Sequence, residues 1–211
     1  MTYKIVLFIF YLNIQAISTA ISKESGKNTF TKNNVIQSCI QDMGCDPRLS
    51  ADLIQNFTAS STLKHPQNKH NVSMLRDDNP QTAWCEGRSD SGIGESLQVT
   101  FSHPTRLSKI LLSPMYAKSK STMLNNNRPQ RFILMLDNQA INLVVDKYHY
   151  NPCGQEMPCD EILDLQSWTL PRELQLKPVS NVKLIIESVI KGRKYDDTCM
   201  SEFGFVDISE G

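Results

Sequence analysis

Hydrophobic and polar positions alternate with a period of two along much of the chain. Leu97, Val99 and Phe101 interleave with Gln98 and Thr100, the pattern of a strand with one face in a core, and His103-Pro104 predicts where it stops. Leu107 to Leu112 predicts a second strand. Arg131–Leu136 and Ile141–Val145 flank Asp137-Asn138-Gln139-Ala140, residue types that favour a turn, so these runs read as a hairpin. Trp168–Leu170, Leu174–Leu176, Val182–Ile190 and Phe203–Ile208 continue the series as short apolar runs separated by Pro, Gly, Asn or Asp. No long amphipathic helix interleaves with them and no segment repeats. The pattern predicts an all-β sandwich or barrel rather than an α/β fold.

The N-terminal quarter reads differently. Lys4, the apolar run Ile5–Leu12 and the small residues Ser18-Thr19-Ala20 predict a secretory signal peptide over residues 1–20. The run is too short for a membrane anchor and is followed by Asn13 and Gln15. Residues 21–34, where Phe30 stands among Ser, Lys, Asn, Thr and Gly, read as a flexible linker. Residues 35–55 carry Val35, Ile36, Ile40, Leu49, Leu53 and Ile54 around two cysteines, a small stapled cap. The strand-rich domain is expected over 56–208.

Composition narrows the setting. Among 211 residues, 22 Lys and Arg balance 22 Asp and Glu, with 40% hydrophobic and 21% charged positions, which suits one ordinary globular domain. Zero net charge without a basic run argues against nucleic acid as a partner. No later stretch approaches the roughly 18 apolar residues of a membrane span, so no integral membrane segment is expected beyond the signal. A monomer is expected.

Six cysteines in a chain that reads as exported imply disulfides. Cys39/Cys45 and Cys153/Cys159 share a C-x5-C spacing that closes local loops, which leaves Cys85 to pair with Cys199. On the chain-entropy model a bridge that long contributes about 5 kcal/mol. A zinc site is the alternative, but no C-x2-C pair accompanies these residues.

The sequence holds no G-x-S-x-G elbow, H-E-x-x-H, P-loop or dinucleotide fingerprint. His65, His70, His103 and His149 lie in loop-like contexts and read as solvated surface histidines. Four segments are chemically richer than turns require: 77–87, 92–95, 125–129 and 194–202. A Cys85–Cys199 bridge would bring the first to the last, gathering Trp84, Glu86, Asp196, Asp197 and Glu202 at one end of a sandwich.

Ala59-Ser60-Ser61-Thr62-Leu63, Asp78-x3-Thr82-Ala83-Trp84-x-Glu86-Gly87, Gly92-Ile93-Gly94-Glu95, Asn126-Asn127-Arg128-Pro129 and Tyr195-Asp196-Asp197-Thr198-x2-Ser201-Glu202 together resemble the NADase-type glycan-binding or translocation domain. That family is related to the coagulation factor 5/8 C-type (discoidin-like) and galactose-binding-like jelly rolls. The resemblance covers about residues 56–206. It implies an eight-stranded β-sandwich that binds glycan at a loop-lined end and does no chemistry of its own. In the toxin that gives the family its name, NAD cleavage belongs to a separate domain, so no NADase activity is implied.

On this reading the ligand-binding residues are Glu86, Asn127, Arg128, Tyr195, Asp196, Trp84 and Asp197, with no catalytic residues and no cofactor. Trp84 has a core role as its alternative, and Arg128 a role as buried partner of Glu86 or Glu202. Asp77, Asp78 and Asn79 read as a turn, with a structural calcium shell as the alternative. Tyr116 and Tyr195 are the aromatics expected nearest a wet pocket. The partner would be a glycan or glycoprotein outside the cytoplasm. Two rival readings remain: a protein-binding adhesin or envelope component using the same loops, and a glycoside hydrolase built on a pair such as Glu86 and Glu202.

Overall fold

The computed structural model describes residues 29–30, 49–67, 69–145 and 165–208. The expected signal peptide, most of the expected cap, and Cys39, Cys45, Cys153 and Cys159 lie outside them. The described strands are β1 (Thr29–Phe30), β2 (Ile54–Ala59), β3 (Trp84–Cys85), β4 (Ser96–Thr105), β5 (Leu107–Ser113) and β6 (Arg128–Leu136), followed by β7 (Gln139–Val144), β8 (Gln166–Thr169), β9 (Val179–Ile190), β10 (Cys199–Met200) and β11 (Glu202–Asp207). A six-stranded sheet runs β1-β7-β6-β9-β4-β2, a three-stranded sheet runs β11-β5-β8, and β3 pairs with β10 in a separate ribbon. The strand pairs are antiparallel apart from β1 with β7.

Alternation along the strands builds the core. Leu97, Val99 and Phe101 of β4, Phe132 and Leu134 of β6, and Val182, Leu184 and Ile186 of β9 turn one face of the larger sheet inward. Ile110 and Leu112 of β5, Trp168 of β8 and Phe203 and Phe205 of β11 answer from the smaller sheet. Phe57, Phe203, Phe205 and Phe101 form a chain of ring contacts with centroids 5.9, 4.9 and 5.4 Å apart, crossing from β2 through β11 to β4. The layered all-β architecture expected from the alternation is therefore the one observed.

Several boundaries differ from expectation. β4 runs through His103-Pro104 to Thr105, because its pairing with β9 jumps from Thr100 to Thr105 and the proline sits in the irregular stretch where no ladder N–H is needed. Leu174–Leu176 does not form a strand: Pro171 caps a short helix, α1 (Arg172–Gln175), whose Leu174 points into the core. The sandwich begins before residue 56, since Leu49 is buried and donates its N–H to the Phe205 carbonyl, and β2 starts at Ile54. Within the expected linker, Thr29–Phe30 lies along the edge of the six-stranded sheet beside Asn142 and Leu143.

The β6–β7 hairpin turns at Asp137-Asn138, with Leu136 opposite Gln139 and Asp137 at φ 48°. The Asp137 carboxylate accepts the backbone N–H groups of Ser180 and Asn181, tying this end of the hairpin to β9.

Candidate functional site

Strand register decides which loops meet. Ser96 pairs with Ile185, Arg128 with Ile190 and Glu202 with Ser113, so the start of β4, the start of β6, the end of β9, the end of β5 and the start of β11 share one end of the sandwich. The loops 60–83, 86–95, 114–127 and 191–198 consequently converge there. A cavity of about 460 Å³ lies at the opposite end, lined by residues including Leu136, Asp137, Gln139, Leu174 and Lys177. It holds none of the candidate ligand-binding residues.

The loop end has a buried frame. Cys85 and Cys199 face each other across the β3–β10 ribbon and are joined by the expected disulfide. Beside them Glu86 is fully buried, and its two carboxylate oxygens accept the backbone N–H groups of Arg88 at 2.8 Å and Thr198 at 3.1 Å. Burial raises the Glu86 carboxyl above its usual range, and the two N–H donors oppose that shift. Gly92 packs onto the same carboxylate: it sits at φ 66°, and a Cβ there would come within 2.4 Å of the Glu86 side chain. Asn127 is also fully buried, donating its amide to the Asp196 carbonyl and accepting the Gly192 N–H at 2.7 Å. Its backbone N–H meets the Asp197 carbonyl. Trp84 is fully buried in the main core, its indole N–H donating to the Ser61 carbonyl at 3.0 Å.

These contacts correct the expectation of ligand contact for Glu86 and Asn127, and give Trp84 the core role weighed beside it. Trp84, Glu86 and Asn127 have no surface to offer a ligand, and their polar atoms hold loop backbone in place. Other motif residues work the same way. Ser60 donates to Glu95 and accepts the Ser96 N–H, Ser61 accepts the Gly87 N–H, and Asp77 accepts the Asn79 N–H and the Thr82 hydroxyl. Glu86 and Glu202, the pair considered for hydrolysis, are both buried. Among the described residues no three His, Cys, Asp or Glu side chains gather in a way that could hold a metal ion.

The remaining expected residues lie nearer the surface. Tyr195 is 45% exposed, and the Lys194 ammonium stands 5.1 Å from the centre of its ring. Asp196 is exposed and pairs with Lys191 at 2.6 Å. Asp197 is half-buried, and Arg128, half-buried, opens β6 opposite Ile190. Arg88 pairs with Asp90 at 3.1 Å on the same end, and Ile93 between the two glycines is 54% exposed.

One group was not anticipated. His65 and His70, expected as solvated surface residues, are half-buried and stand edge to face at 5.9 Å; His70 in turn meets the Tyr116 ring edge to face at 6.0 Å. The expected wet-pocket residue Tyr116 thus has imidazole neighbours, and it packs on the patch of Ala83, Cys85 and Cys199 with Leu63. Burial lowers the His70 pKa below its ordinary value. No spacing in the sequence signals this cluster, because Tyr116 comes from a different loop.

Solved structures with the same fold include the tandem CBM32 domains and catalytic domain of Clostridium perfringens ZmpB, with 13% identity and a TM-score of 0.58 over 87% of this chain and 17% of that one. The ZmpB CBM32 pair in complex with GalNAc matches with 14% identity and a TM-score of 0.51 over 76% of this chain and 35% of that one. The arabinofuranosyltransferase AftD from Mycobacteria matches with 12% identity and a TM-score of 0.51 over 74% of this chain and 10% of that one. This chain therefore spans less than half the length of each of these. No curated protein sequence matches it. The model of the NAD glycohydrolase translocation F5/8 type C domain matches residues 48–206, which include strands β2 to β10, all but the last residue of β11 and all four converging loops. The chain belongs to that family.

Proposed function

We propose that this chain is a non-catalytic carbohydrate-binding domain that takes glycan at the loop end of the sandwich. The observation that carries the reading is the exposed Tyr195 ring on a loop anchored by Asn127 and the Cys85–Cys199 bridge, flanked by Lys194, Asp196 and Lys191. An aromatic face covers the apolar face of a sugar ring, while carboxylate and ammonium groups hold its hydroxyls. Each such hydrogen bond replaces one to water and nets about 0.5–1.5 kcal/mol, so single-site affinity would be modest. The ZmpB relative of the same fold is described in complex with GalNAc, which supports a sugar ligand here. The burial of Glu86 and Glu202 speaks against a hydrolytic carboxylate pair. The Cys85–Cys199 bridge supports a setting outside the reducing cytoplasm.

The test is a glycan array with the full oxidised chain, alongside Tyr195→Ala. Saturable binding to a defined set of glycans, lost in a variant that keeps its melting temperature, is the expected result. A blank array from folded protein would overturn it and favour a protein ligand for these loops.

A further inference from the structure

Charge is unevenly divided among the four loops that meet at this end. Segments 60–76 and 114–127 carry Lys64, Lys69, Arg76, Lys118 and Lys120 and no Asp or Glu. Loops 86–95 and 191–198 mix the two signs, and there Arg88 pairs with Asp90 and Lys191 with Asp196. The two basic segments lie against each other, since the His70 ring meets His65 at 5.9 Å and Tyr116 at 6.0 Å. The Tyr116 carbonyl accepts the Thr122 hydroxyl at 3.1 Å, from the short helix Lys120–Asn125. That helix holds the next loop in turn. Its Leu124 carbonyl accepts the Arg193 N–H at 2.9 Å, and its Asn125 carbonyl accepts those of Lys194 and Tyr195 at 3.1 and 2.8 Å. One run of contacts therefore connects the segment of Lys64 and Lys69, through that of Lys118, to Arg193 and Lys194. All five side chains are exposed, and among the described residues none of them makes an ion pair. The acids that approach the run are otherwise engaged or set back: Asp196 is held by Lys191, Asp77 accepts the Thr82 hydroxyl, and half-buried Asp197 acts on His70.

We propose that Lys64, Lys69, Lys118, Arg193 and Lys194, beside the Tyr195 ring, form a docking surface for a sulfated polysaccharide chain. It rests on the glycan-binding reading above and names the ligand class of that site. The whole chain has zero formal net charge, so the attraction belongs to these loops and not to the molecule at large. A solvated ion pair contributes little alone, and a ligand gains from such a surface only by presenting several anions at once. Four of the five cations are lysines. An ammonium is a point charge that responds to charge density, whereas the planar fork of arginine matches a carboxylate with two parallel bonds. Sulfate esters repeated along a sugar chain suit a lysine-rich run better than carboxylates do. The exposed Tyr195 ring, with the Lys194 ammonium 5.1 Å from its centre, offers a sugar ring an aromatic face next to a cation.

The experiment measures binding of the full oxidised chain to immobilised heparin, hyaluronan, duplex DNA and a panel of neutral glycans, with a melting curve for every variant. Heparin should bind saturably and more tightly than the other three, and about tenfold more weakly when NaCl is raised from about 50 to about 300 mM, because salt screens exposed charge. Lys69→Glu with Lys118→Glu should weaken heparin binding about tenfold or more without moving the melting temperature. Lys177→Glu with Lys183→Glu makes the same change in net charge on exposed residues away from the loop end, and should stay within about twofold of wild type. Equal losses in the two pairs would overturn the surface, since net charge alone would then account for binding. Equal affinity for hyaluronan would overturn the sulfate assignment, and equal affinity for DNA the sugar assignment. Neutral glycans bound in place of heparin would overturn the inference and leave the glycan reading standing. Folded protein that binds neither heparin nor any neutral glycan would overturn both.

Discussion

The loop end holds two populations of polar residues that look alike in sequence and do opposite work. Glu86 and Asn127 are fully buried and spend their hydrogen bonds on backbone groups of Arg88, Thr198, Asp196 and Gly192. Tyr195, Lys194, Asp196 and Lys191 stand on the loop those bonds secure and face outward. A long loop pays entropy to hold one conformation, and a buried carboxylate or amide that satisfies several backbone donors and acceptors at once offsets that cost. The motif residues thus divide into a frame and a rim. Only the rim is open to solvent.

Removing the frame should have the largest effects. Reducing the Cys85–Cys199 bridge, or replacing both residues by Ser, frees a loop of separation 114 and should cost about 5 kcal/mol, read as a lower denaturant midpoint. Glu86→Ala leaves two loop N–H groups without their acceptor and should cost about 2–4 kcal/mol in the same measurement. Gly92→Ala combines a left-handed backbone with a collision against Glu86, and should cost about 1–3 kcal/mol. If these variants unfolded no more easily than wild type, the division into frame and rim would fail.

How far this division was legible in the sequence depends on the range of the contacts involved. Strands such as Leu97–Phe101 and the 131–145 hairpin were readable because alternation is a local signal and one buried face imposes it. Leu174–Leu176 misled because three apolar residues cannot distinguish a strand from the single helical turn that Pro171 starts. β3 and β10 carried no periodicity at two residues each, yet their cysteines announced the pairing. For the candidate site, the motifs gather at one end of the sandwich, but their order along the chain does not tell the fate of each side chain. Glu86 meets a donor 112 positions away and Asn127 one 65 away, and nothing near either residue tells that its partner is backbone. The His65–His70–Tyr116 cluster was missed for the same reason: its rings meet only after loops 60–83 and 114–127 are folded together.

Smaller effects sharpen the comparison from the rim side. His70 is held below its ordinary pKa of 6.5, so the native state binds fewer protons than the unfolded chain between the lowered value and 6.5. Its contribution to stability is complete above pH 6.5 and is lost as the pH falls through the folded value. Thermal melts from pH 7.5 downward should show this decline, and His70→Gln should flatten it. Glu86 acts in the opposite sense at lower pH: its raised carboxyl takes up a proton on folding, so between the raised value and 4.5 acid favours the native state. Glu86→Gln should remove that opposing slope. Breaking the exposed Lys191–Asp196 pair by Asp196→Asn should shift stability by no more than about 1 kcal/mol, since solvent screens it. The smallest stability change belongs to Tyr195→Ala, within about 0.5 kcal/mol of wild type.

The most direct test of the central claim sets that last variant against wild type on one glycan array, with the melting temperature of both recorded. The account predicts that wild type binds a defined glycan set saturably, that Tyr195→Ala loses at least tenfold in affinity for it, and that the two melt together. Undiminished binding by Tyr195→Ala, or no binding by folded wild type, would contradict it.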